Sequence, residues 1–203
     1  MTRGRFVVFE GIDASGKSTQ ARLAADRFGA LFTFEPGDSP LGADLRRWLL
    51  DVSTPMTPVT ESLLMLADRS HHVSSVIEPT LTAGRSVVSD RFSCSTIAYQ
   101  GYGRGVDLAQ LRAATDLAIG DCHPDLTILL DLPVEVANER RMRDHRDRFE
   151  SADLDFHERV RSGYLELAGA DPAHWFVLDG TMPEPVVAAA VAERLSQLEW
   201  PGA

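Results

Sequence analysis

Gly11-Ile12-Asp13-Ala14-Ser15-Gly16-Lys17-Ser18 reads G-x-x-x-x-G-K-S, and Thr19 follows it. The stretch lies between an apolar run, Phe6-Val7-Val8-Phe9, and a helical pattern from Gln20 to Phe28. Strand, glycine-rich loop and helix in that order make a P-loop. Gly11 and Gly16 let the backbone wrap tightly, so that its N–H groups turn inward on phosphate oxygens. The helix that follows adds its positive N-terminal end. Lys17 is expected to reach the β- and γ-phosphates, and the Ser18 hydroxyl to ligate Mg²⁺. Residues 11–19 are therefore the candidate ATP-binding segment.

Working outward, the five apolar runs are Phe6–Phe9, Leu31–Phe34, Ser86–Ser89, Leu126–Leu130 and Trp175–Leu178. Each carries the β-branched or aromatic residues that strands prefer. Between them, apolar residues recur at helical spacing over Leu41–Leu50, Glu61–Leu81, Leu108–Ile119, Val134–Met142, Leu154–Leu167 and Glu184–Leu198. Alternating strands and helices predict a parallel sheet covered on both faces, with ligands at the carboxyl ends of its strands.

Composition sets the outer limits. A length of 203 residues, 44% hydrophobic and 25% charged, fits one soluble globular domain spanning 1–203. The net charge of −10 argues against a general nucleic-acid partner. Arg3 and Arg5 lead straight into a strand-like run, so no signal peptide is expected. No apolar stretch approaches a membrane span, so no membrane partner is expected either. Cys94 and Cys122 make no C-x-x-C pair and no metal-ligand spacing; they read as reduced thiols of a cytoplasmic protein.

The third predicted strand runs into Asp90-Arg91-Phe92. At a strand's carboxyl end this pair faces the P-loop, where Asp90 can hold Mg²⁺ and Arg91 can grip a phosphate with two parallel hydrogen bonds. With the P-loop, Glu35-Pro36-Gly37, Asp90-Arg91-Phe92, Ala98-Tyr99-Gln100-Gly101, Phe156-His157-Glu158-Arg159-Val160-Arg161 and Tyr164-Leu165-Glu166-Leu167 in this order, the chain resembles the thymidylate kinases over nearly its whole length. The resemblance implies an α/β, three-layer nucleoside monophosphate kinase fold with a five-stranded parallel sheet and an arginine-rich lid. It implies the reaction ATP + dTMP → ADP + dTDP with Mg²⁺, and a homodimer.

It also implies roles for single residues. Arg46 resembles the helix arginine that meets the dTMP phosphate, and Arg69 the one that bonds the O4 edge of thymine. Thr96 and Gln100 fall where the family places polar contacts to the base. Tyr99 resembles the tyrosine under the sugar that leaves no room for a 2′-OH. Asp13 matches an acidic P-loop position near the acceptor sugar and the metal. On helical spacing alone, Arg46 and Arg69 read as solvated surface charges.

Two positions depart from the family pattern. Phe34 stands where an arginine commonly precedes Glu-Pro-Gly. Met65, four before Arg69, stands where an aromatic residue stacks on the base; a thioether can still pack on a ring face. Residues 140–148, Arg-Arg-Met-Arg-Asp-His-Arg-Asp-Arg, hold five arginines against two aspartates. They form the candidate lid, about 140–150. The P-loop carries Ala14 where one branch of the family has a catalytic arginine, so the lid is expected to supply it, Arg143 and Arg148 first, Arg141 and Arg146 in reserve.

Other readings stay open on the residues alone. A kinase for another nucleoside monophosphate is one. A deoxynucleoside kinase is another, with Glu10 or Asp13 as base. A GTP-driven switch would carry N-K-x-D, but the chain's one asparagine, Asn138, is followed by Glu139.

Overall fold

The computed structural model describes residues 2–141 and 153–200. Its centre is strand β1 (Phe6–Glu10), whose five side chains are all buried. Burial on both faces explains the unbroken apolar run: Val7 and Phe9 enter one core with Ala21, Ala25, Val187 and Leu195. Phe6 and Val8 enter the opposite core with Ile77, Leu81 and Phe92. The period of two in a strand divides the residues this way. Each fully buried large side chain contributes about 1.5–3 kcal/mol.

β2 (Leu31–Phe34), β3 (Val87–Asp90), β4 (Leu126–Asp131) and β5 (Trp175–Asp179) complete one sheet of order β2-β3-β1-β4-β5. All four pairings are parallel, with Phe9 opposite both Asp90 and Ile128. The helices are α1 (Lys17–Phe28), α2 (Pro40–Leu50), α3 (Pro58–His72), α4 (Glu78–Thr82), α5 (Ser93–Thr96), α6 (Leu108–Ile119), α7 (Val134–Arg141), α8 (Leu154–Ala170) and α9 (Glu184–Ser196). Among the described residues no helix is long and apolar enough to cross a membrane.

The chain leaves β1 toward β2 and leaves β3 toward β4 on the other side, so the strand order reverses between β1 and β3. A crevice opens at such a point. It is lined by the loops after β1 and β3, which are the two motifs singled out in the sequence.

One helix differs from expectation. The single helix expected over Glu61–Leu81 is three pieces: α3, a wider turn over Val73–Ile77, and α4. Pro79 has no N–H to give to the preceding turn, and Glu78 N–H reaches back five residues to the Val73 carbonyl. Thr96 and Gln100, whose spacing of four places them on one helix face, lie on a short helix, α5, and on the wide-turned segment Ile97–Gly103 into which it runs. Its polar face, with Ser95, Thr96 and Gln100, turns to buried partners and the crevice, while Ile97, Ala98 and Tyr99 pack into the core.

Candidate active site

The crevice is a cleft of about 440 Å³. At one end the P-loop turns where the sequence requires. Gly11 has φ 143° and Gly16 has φ 90°, backbone that L side chains rarely adopt. A Cβ on Gly11 would also sit 2.7 Å from the Leu130 carbonyl oxygen, so the glycine serves packing as well as the turn. Gly16 caps α1, and the helix N-terminus opens onto the loop.

Lys17 is buried, with Nζ 3.6 Å from Asp13 Oδ1. Arg91 stands opposite in a left-handed conformation, φ 73°, which a non-glycine residue keeps only when its surroundings fix it. They do. Its Nη1 donates to Gly11 O at 3.1 Å, Ser95 Oγ at 3.1 Å and Tyr164 Oη at 3.2 Å. Its Nη2 donates to Asp13 Oδ1 and, at 3.0 Å, to Tyr99 Oη. Tyr99 Oη donates to Asp13 Oδ2 at 2.8 Å. Burial pushes the Asp13 carboxyl up, but Arg91 and then Lys17 outweigh it and hold it well below the usual carboxylate range. Burial and the neighbouring Arg91 pull the Lys17 ammonium down, against Asp90 and Asp13.

Asp90 Oδ1 is buried and has no hydrogen-bond partner. Asp90 and Ser18 both line the cleft. A carboxylate with a spare lone pair beside a hydroxyl is the hard-oxygen set that Mg²⁺ selects, so these two residues fit the ion that the sequence motif implies.

The far end of the cleft is made differently. Arg69 is 2% exposed, although helical spacing alone reads it as a surface charge. Its Nε donates to Glu35 Oε2 at 2.8 Å, Nη1 to Thr96 Oγ1 at 2.7 Å and Nη2 to the Phe92 carbonyl at 2.9 Å. A guanidinium has five N–H groups, so one remains on each terminal nitrogen. Gln100 Nε2 donates to Glu61 Oε1 at 2.9 Å. Met65 and Phe34, the two departures from the family pattern, line this same cleft together with Arg69, Thr96, Tyr99 and Gln100. Arg46 lies with its guanidinium carbon 5.6 Å from the Phe34 ring centre and donates to the Pro36 carbonyl at 2.6 Å. The Glu35-Pro36-Gly37 turn lets it lie there: Gly37 has φ 119°, and a Cβ at that position would meet Arg46 Cδ at 2.8 Å.

Of the residues expected at the site, Asp13, Lys17, Ser18, Arg46, Met65, Arg69, Asp90, Arg91, Thr96, Tyr99 and Gln100 line one cleft. Arg143, Arg148 and Arg146, and the side chain of Arg141, lie outside the described residues. Sequence reasoning passed over Arg140, whose Nη1 reaches Ala14 O at 3.2 Å and whose Nη2 reaches Gly180 O at 3.1 Å. It also passed over the layer beneath the cleft. Glu35 stands inside the Glu35-Pro36-Gly37 motif, and His72 and Ser95 lie among polar neighbours with no motif to single them out. Glu10, considered as a base, accepts from Phe92 N–H, Ser95 N–H, Ser95 Oγ and Tyr164 Oη. Burial raises its carboxyl above the usual range, and its lone pairs are committed to holding the segment that carries Arg91. That makes it an anchor and not a base.

The thymidylate kinase family model matches residues 9–191. A thymidylate kinase of Desulforudis audaxviator is 47% identical over 96% of this chain and 91% of its own length. One of Thermomicrobium roseum is 46% identical over 95% of each. The crystal structure of thymidylate kinase from Ehrlichia chaffeensis superposes with a TM-score of 0.78 at 32% identity, covering 94% of this chain and 98% of that one.

Proposed function

This chain belongs to the thymidylate kinase family, and on that premise we propose how its residues perform the reaction. The enzyme transfers the γ-phosphoryl group of ATP to dTMP, giving ADP and dTDP. The observation that carries the assignment of roles is a single cleft with two unlike ends. Lys17, Ser18, Asp90 and Arg91 line one end, and Arg69, Thr96 and Gln100 line the other. A nucleoside monophosphate has the same two unlike ends.

The P-loop N–H groups and Lys17 bind the donor phosphates. Asp90 and Ser18 would hold Mg²⁺, which when bound neutralises charge on the β- and γ-phosphates. Arg91 and Arg46 hold the acceptor phosphate in line. Gly11, Ser95, Tyr164, Tyr99 and Asp13 fix the plane of Arg91 in advance but take its terminal N–H groups, so the two-bond grip expected from the sequence requires some of these contacts to be exchanged for phosphate. The acceptor is an ionised phosphate oxygen, so no general base is needed. The depressed Asp13 carboxyl suits a role that fixes two cations and not one that takes a proton. Tyr99 lies under the sugar, and Arg69 donates to the base carbonyl. Ala14 leaves the P-loop without a guanidinium, so Arg143 or Arg148 is assigned the charge that develops as the phosphoryl group moves.

We further propose one domain across 1–203, a homodimer and a cytoplasmic location, with no nucleic-acid or membrane partner. The test is a substrate panel: ATP with each nucleoside monophosphate and with thymidine, following ADP. dTMP should be the best acceptor. A preference for a purine or cytosine nucleotide would reject the assignment of the base-binding residues, and a preference for thymidine itself would reject that of the acceptor-phosphate residues Arg91 and Arg46.

A further inference from the structure

Beneath the base end of the cleft runs a chain of five side chains. Asp38 Oδ2 is 2.6 Å from Thr33 Oγ1, and Thr33 Oγ1 is 2.6 Å from His72 Nε2. His72 Nδ1 is 2.9 Å from Glu35 Oε1, and Glu35 Oε2 takes Arg69 Nε at 2.8 Å. Thr33, Glu35, His72 and Arg69 are all fully buried. Only Asp38, at the outer end, reaches solvent.

The protons in this chain can be counted. Three contacts link Asp38, Thr33, His72 and Glu35. Each needs one hydrogen. Both carboxylates can only accept, Thr33 has one hydroxyl proton, and a neutral imidazole has one N–H. Two protons cannot fill three contacts. A buried contact between two acceptors would be repulsive and unsolvated. One more proton must be present, and its place follows from the neighbours. Glu35 faces a guanidinium, and Asp38 faces water, so both serve as acceptors. The proton belongs on the ring: His72 donates from both nitrogens, and Thr33 donates outward to Asp38. The other charged groups packed around His72 are Asp68 and Arg69 on its own helix and Glu35 and Asp38 on the turn after β2.

We propose that His72 is a positioning residue for Arg69: it stands as an imidazolium between Thr33 and Glu35, and through the Glu35 carboxylate fixes the plane of the guanidinium that meets the base. The inference rests on Arg69 being the base-reading residue. Both Glu35 oxygens are taken, one by His72 and one by Arg69, so the carboxylate cannot turn without breaking a buried contact. Thr96 and the Phe92 carbonyl hold the other edge of the guanidinium. Its two free N–H groups are then set for one carbonyl position. A pyrimidine with an amino group there, such as cytosine, would meet donors with donors.

The test has a spectroscopic arm and a kinetic arm, both on the full-length enzyme. Imidazole ¹⁵N shifts at neutral pH should show both His72 nitrogens protonated in the wild type. In Asp38→Asn the new amide donates to Thr33, Thr33 then donates to His72, and Nε2 should read as unprotonated. A neutral His72 in the wild type, or an unaltered ring in Asp38→Asn, would overturn the proton assignment. For kinetics, asparagine places its amide nitrogen near the Nδ1 position and glutamine near Nε2. His72→Asn should therefore keep the preference for dTMP over dCMP, and His72→Gln should lower it by roughly tenfold. In an Arg69→Ala background neither change should lower it further. Equal effects of the two substitutions, or additive effects with Arg69→Ala, would overturn the positioning role. If His72→Gln does not fold, Glu35→Gln, which keeps the side chain's shape but loses the charge, should lower the preference similarly, and an unchanged preference there would count against the role. Wild-type enzyme with no preference for dTMP would instead remove the base-reading role of Arg69, leaving the ¹⁵N result to decide the proton alone.

Discussion

At the proposed phosphate end of the cleft, all the assigned groups but Arg46 of α2 and the lid arginines come from two short stretches, residues 11–19 and Asp90–Arg91. At the base end they come from the exit of β2, from α3 and from α5, and the contacts that hold Arg69 span 34 and 27 residues of chain. The chemistry of each ligand end accounts for the difference. Phosphate is bound largely by backbone N–H groups and a helix terminus, which one glycine-rich turn supplies. A base edge must be met by side chains aimed from several directions, and no short stretch of chain can do that. The phosphate end is also exacting in charge, with two cations gathered on Asp13, whereas the base end is exacting in orientation.

The most severe test of the phosphate end is Lys17→Ala. Turnover should fall by on the order of 10³-fold or more, while the fold survives. Homogeneous variant protein with near-normal turnover would break the assignment of the P-loop lysine. Arg143→Ala and Arg148→Ala test whether that end is complete without the lid. At least one should lower kcat by on the order of 10³-fold while the KM for dTMP moves little, as expected for a contact made mainly in the transition state. Wild-type kcat in both single variants and in the double variant would remove Arg143 and Arg148 from the role and leave Arg141 and Arg146 as the lid arginines to be tested next.

These two ends were unequally legible in the sequence. The P-loop and Asp90-Arg91-Phe92 could be placed because motif and strand context coincide within a few residues. The central strands could be placed because they are buried on both faces, and the edge strands β2 and β5 because their runs are rich in aromatic and β-branched residues. Arg69 could not be placed from spacing. An arginine next to Asp68 on a helix looks solvated, and only the distant Glu35 and Thr96 turn it inward; the family resemblance supplied what local pattern could not. Met65 and Phe34 looked like separate anomalies on different elements. The parallel sheet brings the end of β2 beside α3, so both line one cleft. The break in the long helix was written in Pro79, which the apolar periodicity masked.

The base end should yield to a smaller and more selective change. Arg69→Ala should lower kcat/KM for dTMP by roughly ten- to a hundredfold, since a buried carbonyl that loses its donor costs about 1–3 kcal/mol. Glu35 and Thr96 would lose their partner as well, so folding is checked by thermal melting. Steady-state kinetics with dTMP, dUMP, dCMP and dGMP separates the roles. Equal slowing of every acceptor would make the arginine structural. Met65→Phe should tighten dTMP binding or leave it unchanged. Weaker binding would show that the cleft is fitted to methionine with Phe34 as the aromatic surface.

The smallest expected effect sharpens the comparison from beneath the base end. Burial, and then the nearby Glu35 carboxylate, push the Asp68 carboxyl from 3.8 up to about 6. Its Oδ2 accepts the Gly37 N–H at 3.2 Å, and its Oδ1 is buried without a partner. Between pH values of about 4 and 6 the native state holds a proton that the unfolded chain has released. Stability therefore falls as pH rises through that window, and above it the cost of ionised Asp68 is complete, about 3 kcal/mol at most. Asp68→Asn removes that cost and keeps an oxygen for Gly37. Its amide nitrogen has no acceptor where Oδ1 lies, which offsets about 1–3 kcal/mol. The net gain at pH 8 should be about 1 kcal/mol, a rise in Tm of about 2–4 °C. At pH 4 the wild type is already protonated, so the gain should vanish or reverse. Asp13 should behave in the opposite sense, because its carboxyl is held low by Arg91 and Lys17. Asp13→Asn should be destabilising at pH 8, and the deficit should shrink only in strong acid. Thermal melts of both variants against wild type at pH 4 and pH 8 would check this. If the two aspartates shifted stability in the same direction at pH 8, the contrast between a charge-paired phosphate end and a charge-burdened base end would be lost.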